Sequence, residues 1–143
     1  MISISNISEE DIPLVLELWT DAGLRFRPHG RDRTKLIKEE IAQGPDLWIG
    51  AWDDNRLVGV VFASDDGRKG WINRLAVHPE YRMKGVARML VEEAEKALRK
   101  RGRGILAVLI DDDNSTGMDV FSRIGYVRED HIIYYTKRDG PHT

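Results

Sequence analysis

Residues 71–102 read Trp71-Ile72-Asn73-Arg74-Leu75-Ala76-Val77-His78-Pro79-Glu80-Tyr81-Arg82-Met83-Lys84-Gly85-Val86-Ala87-Arg88-Met89-Leu90-Val91-Glu92-Glu93-Ala94-Glu95-Lys96-Ala97-Leu98-Arg99-Lys100-Arg101-Gly102. This is a strand, a tight basic loop and a long amphipathic helix in direct succession. Trp71, Ile72, Leu75, Ala76 and Val77 supply the apolar strand, and Pro79 stops it. Val86, Leu90, Ala94, Ala97 and Leu98 recur at three- and four-residue intervals and mark one helix face as core. The spacing predicts ion pairs of Glu92 with Lys96 and Glu95 with Arg99 on the solvated face, each adding roughly 0.2–0.5 kcal/mol. Gly102 ends the helix. The first N–H groups of a helix have no internal acceptor and carry the positive end of its dipole. A turn with Gly85 and Ala87 at that point leaves room for phosphate oxygens to approach the backbone.

Toward the N-terminus, Ile2 to Ile7 reads as a strand, and Ser8 caps a helix whose first turn holds Glu9, Glu10 and Asp11. That helix runs through Leu14, Val15, Leu18 and Trp19. A basic segment follows from Gly23 to Arg33, and a second helix ends at Gly44-Pro45. Leu47–Trp52, Leu57–Ala63 and Gly70–Val77 form an antiparallel meander joined by Asp53-Asp54-Asn55 and Asp65-Asp66-Gly67, both good turn chemistry. Ile105 to Ile110 is nearly continuous apolar sequence, as in a central strand covered on both faces. Asn114 to Ile124 reads as a short helix, and Tyr126–Glu129 and Ile132–Thr136 as two closing strands. Residues 1–138 form a single domain, with 139–143 as a flexible tail.

The chain has 143 residues, the size of one ordinary domain. With 22 basic and 24 acidic residues, its formal net charge of −2 carries no basic excess for nucleic acid or an anionic membrane. It has no cysteine, which excludes a disulfide scaffold, a thiol nucleophile and Cys-ligated zinc, and suits a reducing compartment. The start lacks a signal-peptide pattern, and no apolar run reaches membrane-spanning length, so a cytoplasmic protein is expected.

Several motifs fall away on context. Gly102 to Ala107 fits a dinucleotide fingerprint by letter but runs from helix into strand, the reverse of the required order. Asp112, Asn114, Thr116 and Gly117 mimic a calcium loop whose bidentate Glu position is filled by Arg123. His29, His78, His131 and His142 have no ligand spacing, and neither a nucleophile elbow nor a Walker loop is present. No metal is expected.

Val77-His78-Pro79-Glu80-Tyr81-Arg82-Met83-Lys84-Gly85-Val86-Ala87 resembles the acyl-CoA motif of the GCN5-related N-acetyltransferases, Arg or Gln, two residues, Gly, one residue, Gly or Ala. A second block of that family, Asn, two residues, Ala, three residues, Tyr, three residues, Gly, then Phe or Tyr, is similar to Asn114, Gly117, Phe121, Gly125 and Tyr126. Gly117 replaces the alanine. Phe121 stands where many members place the tyrosine that protonates the departing thiolate. The order of elements agrees with this family nearly end to end.

The resemblance implies an α/β (α+β) fold, the acyl-CoA N-acyltransferase fold, with a central mixed but mostly antiparallel twisted sheet of about seven strands flanked by about four helices. The strands ending near Val77 and Ile110 splay apart there, and the pantetheine arm enters the gap. Acetyl-CoA is the implied co-substrate, held by Leu75, Ala76, Val77, Arg82, Met83, Lys84, Gly85, Val86, Ala87, Arg88, Asn114 and Phe121. The implied reaction is direct attack of a primary amine of a small molecule or protein on the thioester, with a backbone N–H of Leu75 to Val77 stabilising the developing charge.

An alkyl ammonium has a pKa near 10.4, so a base or water relay must take its proton. Family members often carry a strand Glu where this chain has Asn73 and Arg74. Asp111, Asp65 and Asp66, or water held by Asn73 or Asn114, are the candidates. Trp19, Arg25 and Arg27 lie in the segment where acceptor specificity is expected, and four arginines there point to an anionic group on the acceptor or to a solvated loop. A homodimer through the last strands is a further expectation. The rival reading is an acyl-CoA-binding sensor or scaffold without transfer.

Overall fold

The computed structural model describes residues 1–141 and 143. His142 lies outside the described residues. Among the described residues, five strands form one sheet in sequence order: β1 (Ile2–Asn6), β2 (Trp48–Asp53), β3 (Arg56–Asp65), β4 (Gly70–Val77) and β5 (Leu106–Val108). The first four pair antiparallel and β5 joins β4 in parallel. The expected mixed, mostly antiparallel sheet is present, with five strands rather than seven.

Four α-helices of the described residues cover the sheet: α1 (Ile12–Ala22), α2 (Thr34–Gln43), α3 (Val86–Lys100) and α4 (Ser115–Arg123). α1 and α2 lie on one face, where Ile12, Val15, Leu18, Trp19, Ile37 and Ile41 bury against Trp48, Val60 and Ala76. α3 and α4 lie on the other, where Val86, Leu90, Val91, Ala94, Leu98 and Phe121 bury against Ile49, Ala51, Val58, Val61 and Ile72. Each fully buried Leu or Val removes about 1.5–3 kcal/mol worth of apolar surface from water, which makes α3 the main clamp on the sheet.

Local chemistry sets the ends of these elements. The Ser8 N–H and hydroxyl both donate to the Asp11 carboxylate, at 2.9 and 3.1 Å. They close a short turn, Glu9–Asp11, ahead of α1 rather than capping α1 itself. Gly23 ends α1 in the left-handed region at φ 76°. On α3, Glu95 pairs with Arg99 as expected, but Glu92 pairs with Arg88 and Lys96 with Glu93, so the expected Glu92–Lys96 pair does not form.

One irregularity organises everything near the site. Phe62 faces Arg74 and Ala63 faces Ile72, which leaves Asn73 as an extra residue on β4, a β-bulge. Side chains alternate along a strand, so one inserted residue sends every later side chain to the opposite face. Ile72 belongs to the α3 cluster, and a Cβ on Gly70 would stand 2.6 Å from Leu98 Cδ1. Two residues beyond Ile72, the Arg74 guanidinium instead lies over the Trp19 ring on the α1 face, and Ala76 buries there too.

The same bulge ends the parallel pairing. β4 and β5 match Gly70 with Leu106, Trp71 with Ala107 and Ile72 with Val108, and no further. The strand expected over Ile105–Ile110 is therefore three residues long, and it is a half-buried edge rather than a central strand.

The two closing strands expected over Tyr126–Glu129 and Ile132–Thr136 are not formed. Tyr126 is tied back, its N–H to Phe121 O at 2.9 Å and its hydroxyl to Glu95 Oε2 at 2.9 Å. Beyond it, Val127, Ile132, Ile133, Tyr134 and Tyr135 are exposed. High β-propensity describes how side chains fit a half-buried pleated surface, and it makes no strand without a neighbouring edge to pair with.

Candidate active site

The loop between β4 and α3 is built by backbone conformations that few residues accept. Met83 has φ 64° and Gly85 φ 80°, both left-handed. Nothing lies within 4 Å of where a Gly85 Cβ would stand, so the glycine answers to its dihedral and leaves open space above the helix start. Among the described residues, the N–H groups of Met83, Lys84, Gly85, Val86, Ala87 and Arg88 have no protein acceptor. Several unpaired donors at a helix N-terminus, with Lys84 and Arg88 beside them, are an arrangement suited to an anion.

The loop is tethered on both sides. The Tyr81 hydroxyl donates to Asp53 at the end of β2, which holds the Asp53 carboxyl below its ordinary range and raises the Tyr81 hydroxyl. Arg56 pairs with Glu80 at 3.2 Å. Arg82 Nη2 donates to Ala22 O at 3.0 Å, so the motif arginine caps the end of α1.

The gap opens where β5 stops pairing with β4 at Ile72, along the stretch of β4 that leads into this loop. The His78 N–H donates to Val58 O at 2.8 Å, toward β3. N–H directions alternate along a strand, so those of Leu75 and Val77 point the other way, into the space β5 has left. Donors in that direction suit an oxygen that gains negative charge. Ala76, grouped with them from sequence, buries its side chain on the α1 face and contributes backbone only.

The carboxylates separate by surroundings. Asp66 accepts from the N–H groups of Lys69 and Arg68, at 2.7 and 2.8 Å, and from the Trp71 indole at 3.0 Å. These bonds, the Lys69 N–H foremost, hold its carboxyl down at about 2. Asp65 accepts from the Gly67 N–H at 2.9 Å and pairs with Arg103 at 2.7 Å, the glycine N–H contributing most to lowering its pKa. Both are committed to the β3–β4 turn. Asp111 is exposed just past β5, where its carbonyl accepts the Asn114 N–H at 3.0 Å.

Asn114 Oδ1 accepts from the Gly117 N–H at 2.9 Å, which makes Asn114 the cap of α4. A Cβ at residue 117 would stand 2.5 Å from Asn114 Nδ2, which accounts for glycine where the motif has alanine. On the bulge, Asn73 Nδ2 donates to Ser64 Oγ at 2.8 Å. Phe121 is 5% exposed and meets Tyr126 edge to face at 5.1 Å, so it belongs to the α3 core at the floor of this region. Burial first, then Glu95, pushes the Tyr126 hydroxyl up, and it stays protonated.

On the other face, Trp19 is 1% exposed and packs, with tilted ring contacts, among Phe26, Trp48 and Arg74, a platform beneath the α1–α2 segment rather than an accessible wall. Arg25 and Arg27 are exposed above it. The residue absent from the sequence reading is Asp32, buried and bonded to Arg74 through both oxygens, at 2.9 and 2.7 Å. Its signal was available, since it is the sole acid between Asp21 and Glu39, inside a run of arginines.

Comparison with known proteins agrees with this geometry. The family model "Acetyltransferase (GNAT) family" matches residues 12–126. An acetyltransferase of Sodalis glossinidius (strain morsitans) is 30% identical over 129 residues, covering 90% of this chain and 89% of that protein. The structure of a PaiA N-acetyltransferase from Thermoplasma acidophilum in complex with coenzyme A is similar at a TM-score of 0.79 and 26% identity, over 91% of this chain and 92% of that one. The aminoglycoside-type enzyme AAC(6')-Iy, solved with a bisubstrate analogue, shares the fold at a TM-score of 0.80 and 21% identity, over 96% and 99% of the two chains. With the motif loop, the parted strands and these likenesses in agreement over most of its length, the chain belongs to the acetyltransferase (GNAT) family.

Proposed function

We infer that the protein transfers an acetyl group from acetyl-CoA to a primary amine by direct attack, and that the cradle of residues 82–88 holds the coenzyme A diphosphate. The observation that carries this is the run of unpartnered N–H groups from Met83 to Arg88 around the open space at Gly85. A diphosphate fits that donor set, with Lys84 and Arg88 balancing its charge. Acetyl-CoA, when bound, supplies the activated acetyl group. The N–H groups of Leu75 and Val77 favour negative charge on an oxygen placed in the gap. The Phe121 core closes one side against water.

The acceptor amine must reach the gap uncharged. Asp111, exposed three residues beyond β5, is the base we assign, and Asn73 on the bulge is the residue we assign to orient the amine or a water. Asn114 serves by holding the start of α4. Loss of the thiolate then draws its proton from solvent, since Phe121 has none to give.

A homodimer is part of this reading. The exposed Val127, Ile132, Ile133, Tyr134 and Tyr135 and the open edge of β5 are complementary features of one chain, which a twofold axis satisfies. A cytoplasmic location suits a chain without cysteine. No helix among the described residues is long and apolar enough to cross a membrane.

The test is thiol release from acetyl-CoA with a panel of primary amines, beside calorimetric titration of coenzyme A. Amine-dependent release with saturable coenzyme A binding is expected. Tight binding without release from any amine marks a binding module and overturns the transfer reading.

A further inference from the structure

Asp32 is the buried charged residue of the described core, and its partner Arg74 is itself only 13% exposed. The carboxylate accepts the Arg27 N–H at 2.6 Å as well as the Arg74 guanidinium. Arg74 Nη1 donates to Arg25 O at 2.8 Å, and its guanidinium carbon sits 5.4 Å above the Trp19 ring. Arg74, rising from β4 immediately after the bulge, thus ties down the α1–α2 segment at Arg25 directly and at Arg27 through Asp32. Burial raises the nearby Glu40, with Asp32 adding to the shift.

An ion pair taken out of water contributes little net stability, and its attested use is to specify one arrangement among several. This pair specifies where the Arg25 and Arg27 side chains begin. Among the described residues, no carboxylate pairs with either guanidinium. Arg31, by contrast, lies 4.0 Å from Asp32. Two exposed guanidiniums with no carboxylate partner, on backbones held through Arg74 next to the bulge, make a rim that favours planar or tetrahedral anions.

We propose that the Arg74–Asp32 pair is a clamp that presents Arg25 and Arg27 as an anion-recognising rim at the acceptor site, so that the acceptor is an amine carrying a carboxylate or phosphate. This rests on acetyl transfer taking place at the bulge of β4. Arg74 acts as a positioning residue, and Arg25 and Arg27 touch the acceptor.

The experiment compares amines that differ in charge: ethanolamine and propylamine as neutral members, β-alanine for carboxylate, O-phosphoethanolamine for phosphate, and the dipeptides Ala-Glu and Ala-Lys for larger acceptors. For the parent protein, kcat/KM is about tenfold or more higher for an anionic member than for its neutral counterpart, the effect of one or two charge-assisted hydrogen bonds. In Arg25→Ala/Arg27→Ala the preference disappears through the KM of the anionic members, with the calorimetric affinity for coenzyme A retained. Arg74→Lys weakens the preference in the same direction. Equal or better use of neutral or cationic amines by the parent overturns this inference alone, as does a preference that survives in the double variant. Absence of turnover with every amine overturns the transfer reading and this inference with it.

Discussion

Replacing Gly85 by Glu separates the fold of the cradle from its function. Gly85 sits at φ 80° with open space around it, so the new side chain meets no neighbour and the folded state bears only the left-handed backbone. That conformation costs a non-glycine residue about 1–2 kcal/mol. A carboxylate at a helix N-terminus returns roughly 0.3–1 kcal/mol through the dipole. The net loss of about 1 kcal/mol lowers the melting temperature of a domain this size by about 3 °C.

Binding responds on another scale. A carboxylate about 5 Å from one phosphate charge, at an effective dielectric constant of about 20, costs about 3 kcal/mol, or about 200-fold in affinity. Differential scanning calorimetry and isothermal titration with coenzyme A, read on the same preparation, check both numbers. A variant that melts as expected and still binds coenzyme A within about threefold of the parent refutes the placement of the diphosphate, since a change of that size is only about 0.6 kcal/mol.

The packing and charges lead to three further outcomes. Asp66 has its folded pKa depressed from 3.8 to about 2, so it stabilises the fold above its unfolded value and loses that contribution as pH falls from about 4 through about 2. Asp66→Asn flattens the melting-temperature curve over that window, and an unchanged acid limb refutes the assignment. Leu90 is fully buried between α3 and the sheet, and Leu90→Ala lowers urea stability by about 2–5 kcal/mol with the m-value retained. Ile133→Lys shifts the protein to the monomer in sedimentation if the exposed closing segment forms the dimer contact, and a monomeric parent refutes that reading.

Much of the site was legible because its chemistry is local. Arg82, Gly85 and Ala87 mark a loop whose dihedrals and helix start follow from neighbouring residues, and the observed left-handed Gly85 is what that spacing calls for. The α3 face was legible for the same reason, since a period of three and four residues survives any tertiary context. The closing strands were not, because strand formation depends on an edge supplied from elsewhere. Tyr126–Glu129 and Ile132–Thr136 have the composition of strands without a partner in the described chain.

The family, the left-handed turn at Gly85 and the order of elements as far as α4 could be read from residue order, because each rests on residues near one another in the chain. The directions of Asn73 and Arg74 could not, and they emerge only once the strands are paired. A bulge is a mismatch between two strands and has no signature in either strand alone, yet it turns Arg74 from the α3 core to Asp32, 42 residues away. The same mismatch ends the β4–β5 pairing at Ile72 and opens the gap, because register is a property of the pair of strands and not of their residues.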